Sequence, residues 1–334
     1  RAYTLSRRAS STTPASFRNS FIIQDIRHTF QACQHSSVTS FPSHLKSSLI
    51  SFYDKNHVLF IPMSIHTIGG WNIEKGGFTD YATELPPQNP KQDRIARVIQ
   101  SLGADSIVIS DAQGWKDPAV RAACMPEYNF TSFTPLNDNW LTGHKPEQCN
   151  LGVVFATNSP VAAQEIVDLG DRQGVLTTLN IGAHGLRIAG VYLNHYSEDM
   201  RIEQAHALLS YLDKDDTPTV IIGDLNTQQA LHETSVAEHC RSLIVKLAAA
   251  AFSAIRHPYG EHLSGLERRK VLPILSAAGF SNTATDNRAT ALFPIAPLFR
   301  VDHTLVRGTS SRNYQVHPTG GASDHRPITV DIEL

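Results

Sequence analysis

Short runs of β-branched residues alternate along this chain with apolar residues at helical spacing, and this alternation restricts the possible folds strongly. Residues 106–109 and 220–222 have the composition of buried strands, and residues 328–334 alternate apolar and polar side chains. Between these runs, residues 95–102 and 202–212 carry apolar side chains at helical spacing. Strands and helices mixed in this order predict an α/β or α+β fold around a sheet core.

Further segments extend this pattern. Gly103 is expected to end the first helix. Residues 232–280 are expected to be mostly helical. Four more segments predict strands, at residues 64–68, 151–155, 186–193 and 299–306.

The first 62 residues differ in composition from the rest of the chain. They hold seven basic and two acidic residues, and residues 1–24 contain four arginines and no acidic residue. Such a composition is typical of a mitochondrial transit segment, and equally of a non-native leader before a natural start at Met63. We interpret residues 1–62 as a leader, disordered or non-native, and residues 63–334 as the main domain. The protein is expected in the cytoplasm if the leader is non-native, and in mitochondria if it is a transit segment.

Charge, cysteine spacing and hydropathy argue against a protein that grips duplex nucleic acid, a zinc or redox protein, and a membrane-spanning protein. The main domain is acidic, with 22 basic and 29 acidic residues, whereas proteins that grip duplex nucleic acid usually have a basic surface. The four cysteines form no C-x-x-C pair, so a zinc ribbon or redox motif has no support. The longest apolar stretch, residues 243–252, contains Lys246 and is far shorter than the ~20 residues of a membrane span. We expect a monomer without a membrane span.

Polar residues that can bind cations recur at the ends of the predicted strands. If one sheet core holds these strands, their ends converge on one rim, where carboxylates and amides would make an oxygen-rich site for a hard cation. Histidines at the same rim would supply acid–base capacity near neutral pH. The residues concerned are Asn72, Asp111, His195, Asp224, Asn226, Asp302, Asp324 and His325.

Each of these features alone also has a purely structural interpretation. Residues 223–226 are compatible with a plain turn after a buried strand, and His195 with a structural histidine. Residues 323–325 are compatible with a surface turn whose aspartate bonds the backbone. Residues 268–270, a compact basic run, are interpreted as a solvated helix face. The group around Glu233 is interpreted as helix surface, because it lacks the H-E-x-x-H spacing of a zinc site. Only the joint arrangement points to chemistry.

Six segments in this order resemble the motifs of the endonuclease/exonuclease/phosphatase superfamily. The resemblance implies a four-layered α/β sandwich, in which two central mixed β-sheets are flanked by helices. It also implies hydrolysis of phosphate esters by an activated water with Mg²⁺ or Mn²⁺ as cofactor. The segments are residues 71–77, 105–111, 194–204, 223–226, 300–303 and 323–327.

The resemblance also implies roles for the carboxylates and one amide. Asp111 and Asp324 would bind the metal. Asp224 and Asn226 would position or activate the attacking water and hold the phosphate. A bound cation offsets the negative charge of a phosphate ester and lowers the pKa of bound water, so this group of residues suits the implied reaction.

The histidines and Asn72 have implied roles as well. His325 would act either as a general base or as a group that orients the phosphate, and Asp302 would steer it. His195 would assist at the phosphate or at the leaving group. Asn72 would orient the metal ligands and the scissile phosphate.

This sequence departs from the family pattern at four positions. Asp111 stands where glutamate is usual, and its side chain is one methylene shorter, about 1.5 Å of reach. Ser110 replaces a glutamine, His303 a tyrosine, and Asn194 a small hydroxyl residue. Because Mg²⁺ demands ligands at about 2.0–2.1 Å, we hypothesise an active but divergent site. The alternative hypothesis is weak metal binding with little catalysis.

Three functions therefore remain open from the sequence. The first is hydrolysis of a phosphate monoester or diester on a small molecule, a lipid head group or a nucleotide. The second is a metal-dependent nuclease that acts on DNA or RNA. The third is a binding protein that has kept the fold and lost the chemistry, although such a scaffold would not need Asp224 and His325.

Overall fold

The computed structural model describes most of the main domain. The predicted leader up to residue 48, Met63, and most of the predicted helical segment 232–280 lie outside the described residues. The described residues are 49–54, 57–62, 64–74, 76, 90–136, 150–195, 197–227, 270–284, 288–293 and 296–334.

Four helices and sixteen strands make up the described part of the chain. The helices are α1 (Pro90–Leu102), α2 (Pro118–Cys124), α3 (Glu198–Leu212) and α4 (Val271–Ala277). The first eight strands are β1 (Leu49–Asp54), β2 (His57–Pro62), β3 (Ile65–Asn72), β4 (Ser106–Ser110), β5 (Phe130–Pro135), β6 (Gly152–Thr157), β7 (Val161–Asp168) and β8 (Gln173–Ile181). The others are β9 (His184–Tyr192), β10 (Thr219–Asp224), β11 (Ser281–Asn282), β12 (Ala291–Phe293), β13 (Ala296–Phe299), β14 (Asp302–Arg307), β15 (Ser310–Val316) and β16 (Ile328–Glu333).

Twelve of these strands form two mixed six-stranded sheets. The first sheet has the order β15-β16-β3-β4-β6-β5, and the second has the order β11-β14-β10-β9-β8-β7. Each sheet contains one parallel pair, β3 with β4 and β9 with β10. A parallel pair needs a crossover connection, and helices α1 and α3 lie in the chain at these two crossovers. The carboxyl ends of both parallel pairs carry residues that the sequence singled out.

The two sheets pack face to face around an apolar core. Two glycines allow the close approach: a Cβ on Gly70 of β3 would lie 2.8 Å from Ile222, and one on Gly190 of β9 would lie 2.9 Å from Val108. Such distances are shorter than carbon atoms tolerate, so a larger residue at either position would push the sheets apart. The fully buried residues of this core include Ile68, Val108, Phe155, Val175, Ile188, Ile222 and Val330.

Helices cover the outer face of each sheet. The apolar stripe Ile95, Ile99 and Leu102 of α1 packs in one cluster with Ile107 and Ile109 of the first sheet. In the same way, α3 and α4 pack against the second sheet through Leu208, Leu212 and Leu275, in a cluster with Ala189 and Ile221. The layers are thus helix, sheet, sheet and helix, and the predicted four-layered sandwich is confirmed.

One strand prediction was wrong in detail. Residues 299–306 do not form a single strand, because β13 ends at Phe299 and β14 begins at Asp302. The amides of Val301 and Asp302 both donate to Thr290 Oγ1, at 3.2 and 3.1 Å. The chain therefore bends just before Asp302, which becomes the first residue of β14.

The hairpin of β1 and β2 lies within the predicted leader. Its antiparallel register runs from Leu49 opposite Pro62 to Asp54 opposite His57. The boundary of the leader and its origin stay predictions, since residues 1–48 are not described. Within the described residues, no helix is both long enough and apolar enough to cross a membrane.

Candidate active site

Six strands meet at one rim of the sandwich. Strands β3 and β4 of the first sheet, and β9 and β10 of the second, all end there, whereas the antiparallel β14 and β16 begin there. The register shows this directly, since Asp302 at the start of β14 is the partner of Asp224 at the end of β10. Convergence of the predicted residues thus follows from strand direction.

Asn72 links the two sheets at this rim. It is 3 % exposed, and its Nδ2 donates to Asp224 Oδ2 at 2.9 Å. Its Oδ1 accepts from the amide of Glu74 at 3.0 Å, which holds the amide group in one orientation. Because β3 and β10 belong to different sheets, this bond joins the two halves of the site.

Asp224 is a buried carboxylic acid at the end of β10. It is 2 % exposed, and its Oδ1 accepts from the amide of Asn226 at 2.8 Å. Burial, together with the negative charge of Asp302, raises the pKa of Asp224 to about 7. A group with a pKa near neutrality can take up and release a proton under physiological conditions.

Gly223 allows β10 to approach β9 closely just before Asp224. Its φ is +141°, a region that residues with a side chain rarely adopt, and a Cβ would lie 2.0 Å from the carbonyl oxygen of Val191. Asn226, two residues after Asp224, has a φ of 49°, which asparagine tolerates better than most residues. Its Nδ2 donates to the carbonyl of Leu193 at 3.0 Å, so the turn after β10 is tied to the end of β9.

The half-buried His325 pairs with the buried Asp302 beside Asp224. His325 Nδ1 lies 2.8 Å from Asp302 Oδ2, and Asp302 is 1 % exposed. Burial by itself lowers the pKa of His325, but the carboxylates of Asp302, Asp224 and Asp324 outweigh it and raise the pKa to about 10. At neutral pH the imidazole is therefore charged, and both of its nitrogens are donors.

The carboxylates of Asp224 and Asp302 can face a cation, whereas the charged His325 beside them has no lone pair to offer one. One ligand atom from each lies within 4.8 Å of the others. Asp302 Oδ1 is buried and has no hydrogen-bond partner among the described residues. An unsatisfied carboxylate oxygen in a buried cluster of negative charge fits a hard cation such as Mg²⁺.

Asp111 and Asp324 lie at the same rim but outside this close cluster. Asp111 follows β4, whose last residue Ser110 pairs with Asn72, and has a φ of 55°. Asp324 is exposed, and the Ser323 hydroxyl beside it donates to the carbonyl of Asn72 at 2.7 Å. The roles of Asp111 and Asp324 as metal ligands stay predictions.

His195 follows β9 and is half-buried. The amide of Leu193, two residues earlier, donates to the carbonyl of Asp224 at 3.0 Å, so the segment of His195 runs alongside the turn that carries Asp224 and Asn226. Arg172 Nη2 donates to His195 Nδ1 at 3.2 Å. All eight predicted residues thus lie at one rim.

The sequence interpretation missed supporting residues at this rim. Trp71 Nε1 donates to the carbonyl of His325 at 2.8 Å, and Thr290 bonds the amide of Asp302. Arg172 had no sequence signal, because the strands on either side of it, β7 and β8, were not predicted. A polar residue next to an unpredicted strand cannot be assigned to a rim.

Comparison with known proteins identifies relatives of this chain. The model of the Endonuclease/Exonuclease/phosphatase family matches residues 69–325, most of the chain. No curated protein matches the sequence.

Several solved structures share the fold. An endonuclease/exonuclease/phosphatase from Beutenbergia cavernae has a TM-score of 0.55 and 18% identity, covering 81% of this chain and 72% of its own. ANGEL2, a 2′,3′-cyclic phosphatase solved with adenosine-2′,3′-vanadate, has a TM-score of 0.54 and 14% identity, covering 86% of this chain and 99% of its own. The catalytic domain of human Nocturnin, with bound sulfate, has a TM-score of 0.51 and 13% identity, covering 87% and 99%. At these identities the likeness concerns the fold.

Proposed function

The chain belongs to the endonuclease/exonuclease/phosphatase family, and from this we propose that it hydrolyses a phosphate ester with a divalent cation, Mg²⁺ or Mn²⁺, and an attacking water. Members of this family are hydrolases of phosphate esters. The observation that carries the proposal is the cluster of the buried Asp224 and Asp302 with the half-buried His325, joined to Asn72 across the two sheets. Buried carboxylates of this kind cost stability, which a purely structural core would avoid.

The donor set at the rim suits a hard cation. Asp302 would hold it from the cluster through Oδ1, which has no hydrogen-bond partner among the described residues, and Asp111 and Asp324 would contribute from its edge. When bound, the cation would offset the charge of the phosphate ester and lower the pKa of a bound water. Asn72, fixed by its two hydrogen bonds, would keep the Asp224 carboxylate in place beside that water.

Asp224 is suited to accept the proton of the attacking water. Its pKa of about 7 lies where a general base works best at neutral pH. Each of its oxygens already accepts one hydrogen bond, from Asn72 and from Asn226, and a carboxylate oxygen has a second lone pair for a water. The two existing bonds would fix the direction of that lone pair.

His325 is better suited to hold the phosphate than to act as a base. With a pKa of about 10 it already carries its proton at neutral pH. Its Nδ1–H donates to Asp302, which leaves Nε2–H to donate to a phosphoryl oxygen. Of the two roles open from the sequence, the phosphate-orienting role is therefore the one we propose.

The substrate class follows from charge. The main domain is acidic, which supports a small phosphate ester, a lipid head group or a nucleotide over a long duplex. A nuclease that acts on RNA or DNA is the second candidate. The fold is shared with ANGEL2, a 2′,3′-cyclic phosphatase, so a cyclic phosphate ester belongs among the substrates to test.

A panel assay tests the proposal. Purified protein is incubated with p-nitrophenyl phosphate, bis-p-nitrophenyl phosphate, a 2′,3′-cyclic nucleotide, an inositol phosphate, short RNA and DNA, with Mg²⁺ or with a chelator. We expect turnover that requires Mg²⁺, and a loss of about 100-fold or more in kcat for Asp224→Asn. Asp216→Asn, at an exposed position, is the matched control and should keep full activity. Turnover that survives both the chelator and Asp224→Asn would refute the proposed reaction.

A further inference from the structure

Arg172 is a buried arginine aimed at His195. Its side chain is 2 % exposed, and its Nη2 lies 3.2 Å from His195 Nδ1. The guanidinium also lies 5.0 Å from the ring centroid of Tyr192, the last residue of β9, and its Nε is 3.8 Å from Asp171 Oδ2. Burial of an arginine is costly without such partners, so this placement is specific.

The contact determines the protonation of His195. A guanidinium carries donors only and no acceptor, so Nδ1 of His195 must offer its lone pair. The proton of the neutral ring is then on Nε2, on the opposite side of the ring. The imidazolium form is disfavoured because its Nδ1–H would point at the N–H groups of Arg172.

The turn at residues 169–172 between β7 and β8 is built to hold Arg172 in this place. The amide of Leu169 donates to the carbonyl of Arg172 at 2.9 Å, which closes the turn. Gly170 has a φ of +91°, and its amide donates to Asp168 Oδ1 at 2.9 Å. A turn fixed by two hydrogen bonds leaves the backbone of Arg172 little freedom.

The same turn also clamps the backbone that carries His195. Asp171 accepts two hydrogen bonds of 2.6 Å, from Asn194 Nδ2 and from Gln204 Nε2. Gln204 Oε1 in turn accepts from the amide of Asn194 at 2.8 Å, and Arg201 Nη1 donates to the carbonyl of Asn194 at 2.7 Å. Asn194 is therefore held on its side chain, its amide and its carbonyl. This explains a departure from the family pattern, since a short hydroxyl could not span to Asp171 in the same way.

We propose that Arg172 is a positioning residue for the phosphate-ester reaction and holds His195 as a neutral imidazole whose Nε2–H donates to a phosphoryl oxygen. This inference rests on the proposed function. No proton leaves His195 in this role, because loss of Nε2–H from a neutral ring would produce an imidazolate. The histidine stabilises charge on the phosphoryl group through a fixed donor, in the way that preorganised dipoles do. Asp171 fixes the backbone, and Arg172 fixes the ring.

The test reads the ring nitrogens of His195 directly by ¹⁵N-resolved NMR of the wild-type protein without substrate, with His195→Gln used for assignment. We expect a lone-pair signal for Nδ1 and a protonated signal for Nε2 near neutral pH. Arg172→Met should shift both signals towards a mixture of forms, and Arg172→Lys, which keeps a donor, should shift them less. Arg187→Met removes a buried arginine that bonds Leu212, and should leave His195 unchanged.

The matching kinetic expectation is a fall in kcat of about 10- to 100-fold for Arg172→Met with KM nearly unchanged. A protonated Nδ1 in the wild type, or a His195 spectrum indifferent to Arg172→Met, would overturn the inference. If Arg172→Met does not fold, the wild-type spectrum and Arg172→Lys still decide. Because the spectra need no turnover, absence of phosphoesterase activity would overturn the proposed function while leaving the protonation of His195 separately decided.

Discussion

Gly223→Ala tests whether the close approach of β9 and β10 is needed to position Asp224. Two costs add at this position. A residue with a side chain is strained at a φ of +141°, by about 1–3 kcal/mol. Its Cβ would also lie 2.0 Å from the carbonyl oxygen of Val191, so β10 must shift by roughly 1 Å at a cost of another 1–3 kcal/mol.

Together these costs predict a loss of about 4 kcal/mol in the free energy of unfolding. For a domain of this size, that corresponds to a fall in Tm of roughly 10 °C. Urea unfolding at neutral pH measures the first quantity, and calorimetry measures the second. The shift of β10 would also displace Asp224, so Mg²⁺-dependent turnover should fall at temperatures where the variant is still folded.

Gly103→Ala is the matched control, since it separates strain from contact. Gly103 also has a positive φ, +59°, but a Cβ there would meet nothing within 4 Å. Gly103→Ala should lower the free energy of unfolding only by the strain of a left-handed backbone, about 1–2 kcal/mol, with no loss of turnover. If Gly223→Ala destabilised the protein no more than Gly103→Ala does, the argument from the close contact with Val191 would be wrong.

Three further predictions concern charge. Mg²⁺ affinity should rise with pH up to about pH 7 and then level off, because Asp224, with a pKa of about 7, gains there the negative charge that attracts the cation; a flat calorimetric profile would contradict this. Burial lowers the pKa of His303 to about 4 from its ordinary 6.5, so unfolded chains bind the proton more tightly, and the contribution of His303 to stability should fall by up to about 3 kcal/mol as the pH drops through this interval; the raised pKa of Asp224 acts in the opposite direction. The difference in unfolding free energy between His303→Gln and the wild type isolates His303, and a difference that does not change with pH would exclude this contribution. Asp302→Asn should lower the pKa of His325 from about 10 by roughly 1–3 units in an NMR titration, whereas a fixed pKa would show that Asp302 is not its main partner.

The long elements were predictable from the sequence because their signals are local. Strands β4, β10 and β16 and helices α1 and α3 each have an apolar pattern that repeats within a few residues. Edge strands such as β7 were missed, since most of its side chains are exposed and it lacks a buried run. An edge strand is held mainly by its partner, which the local sequence does not contain.

The positions of the candidate residues were predictable for a related reason, but their pairing and pKa values were not. Asn72, Asp224 and His325 stand at strand ends, so their position along the chain already placed them at an edge of a sheet. The pairing of His325 with Asp302, and the burial that raises the pKa of Asp224, depend on residues that are far apart in the chain.

Local patterns in the chain were therefore enough to locate the buried strands and helices and the polar residues that follow them. The distances between those residues, their exclusion from solvent and the contact of Arg172 with His195, from a turn between two unpredicted strands, became visible only in the folded protein. Periodicity depends on the chain's own side chains, whereas pKa values and hydrogen-bond partners depend on solvent exclusion and on groups brought together by folding.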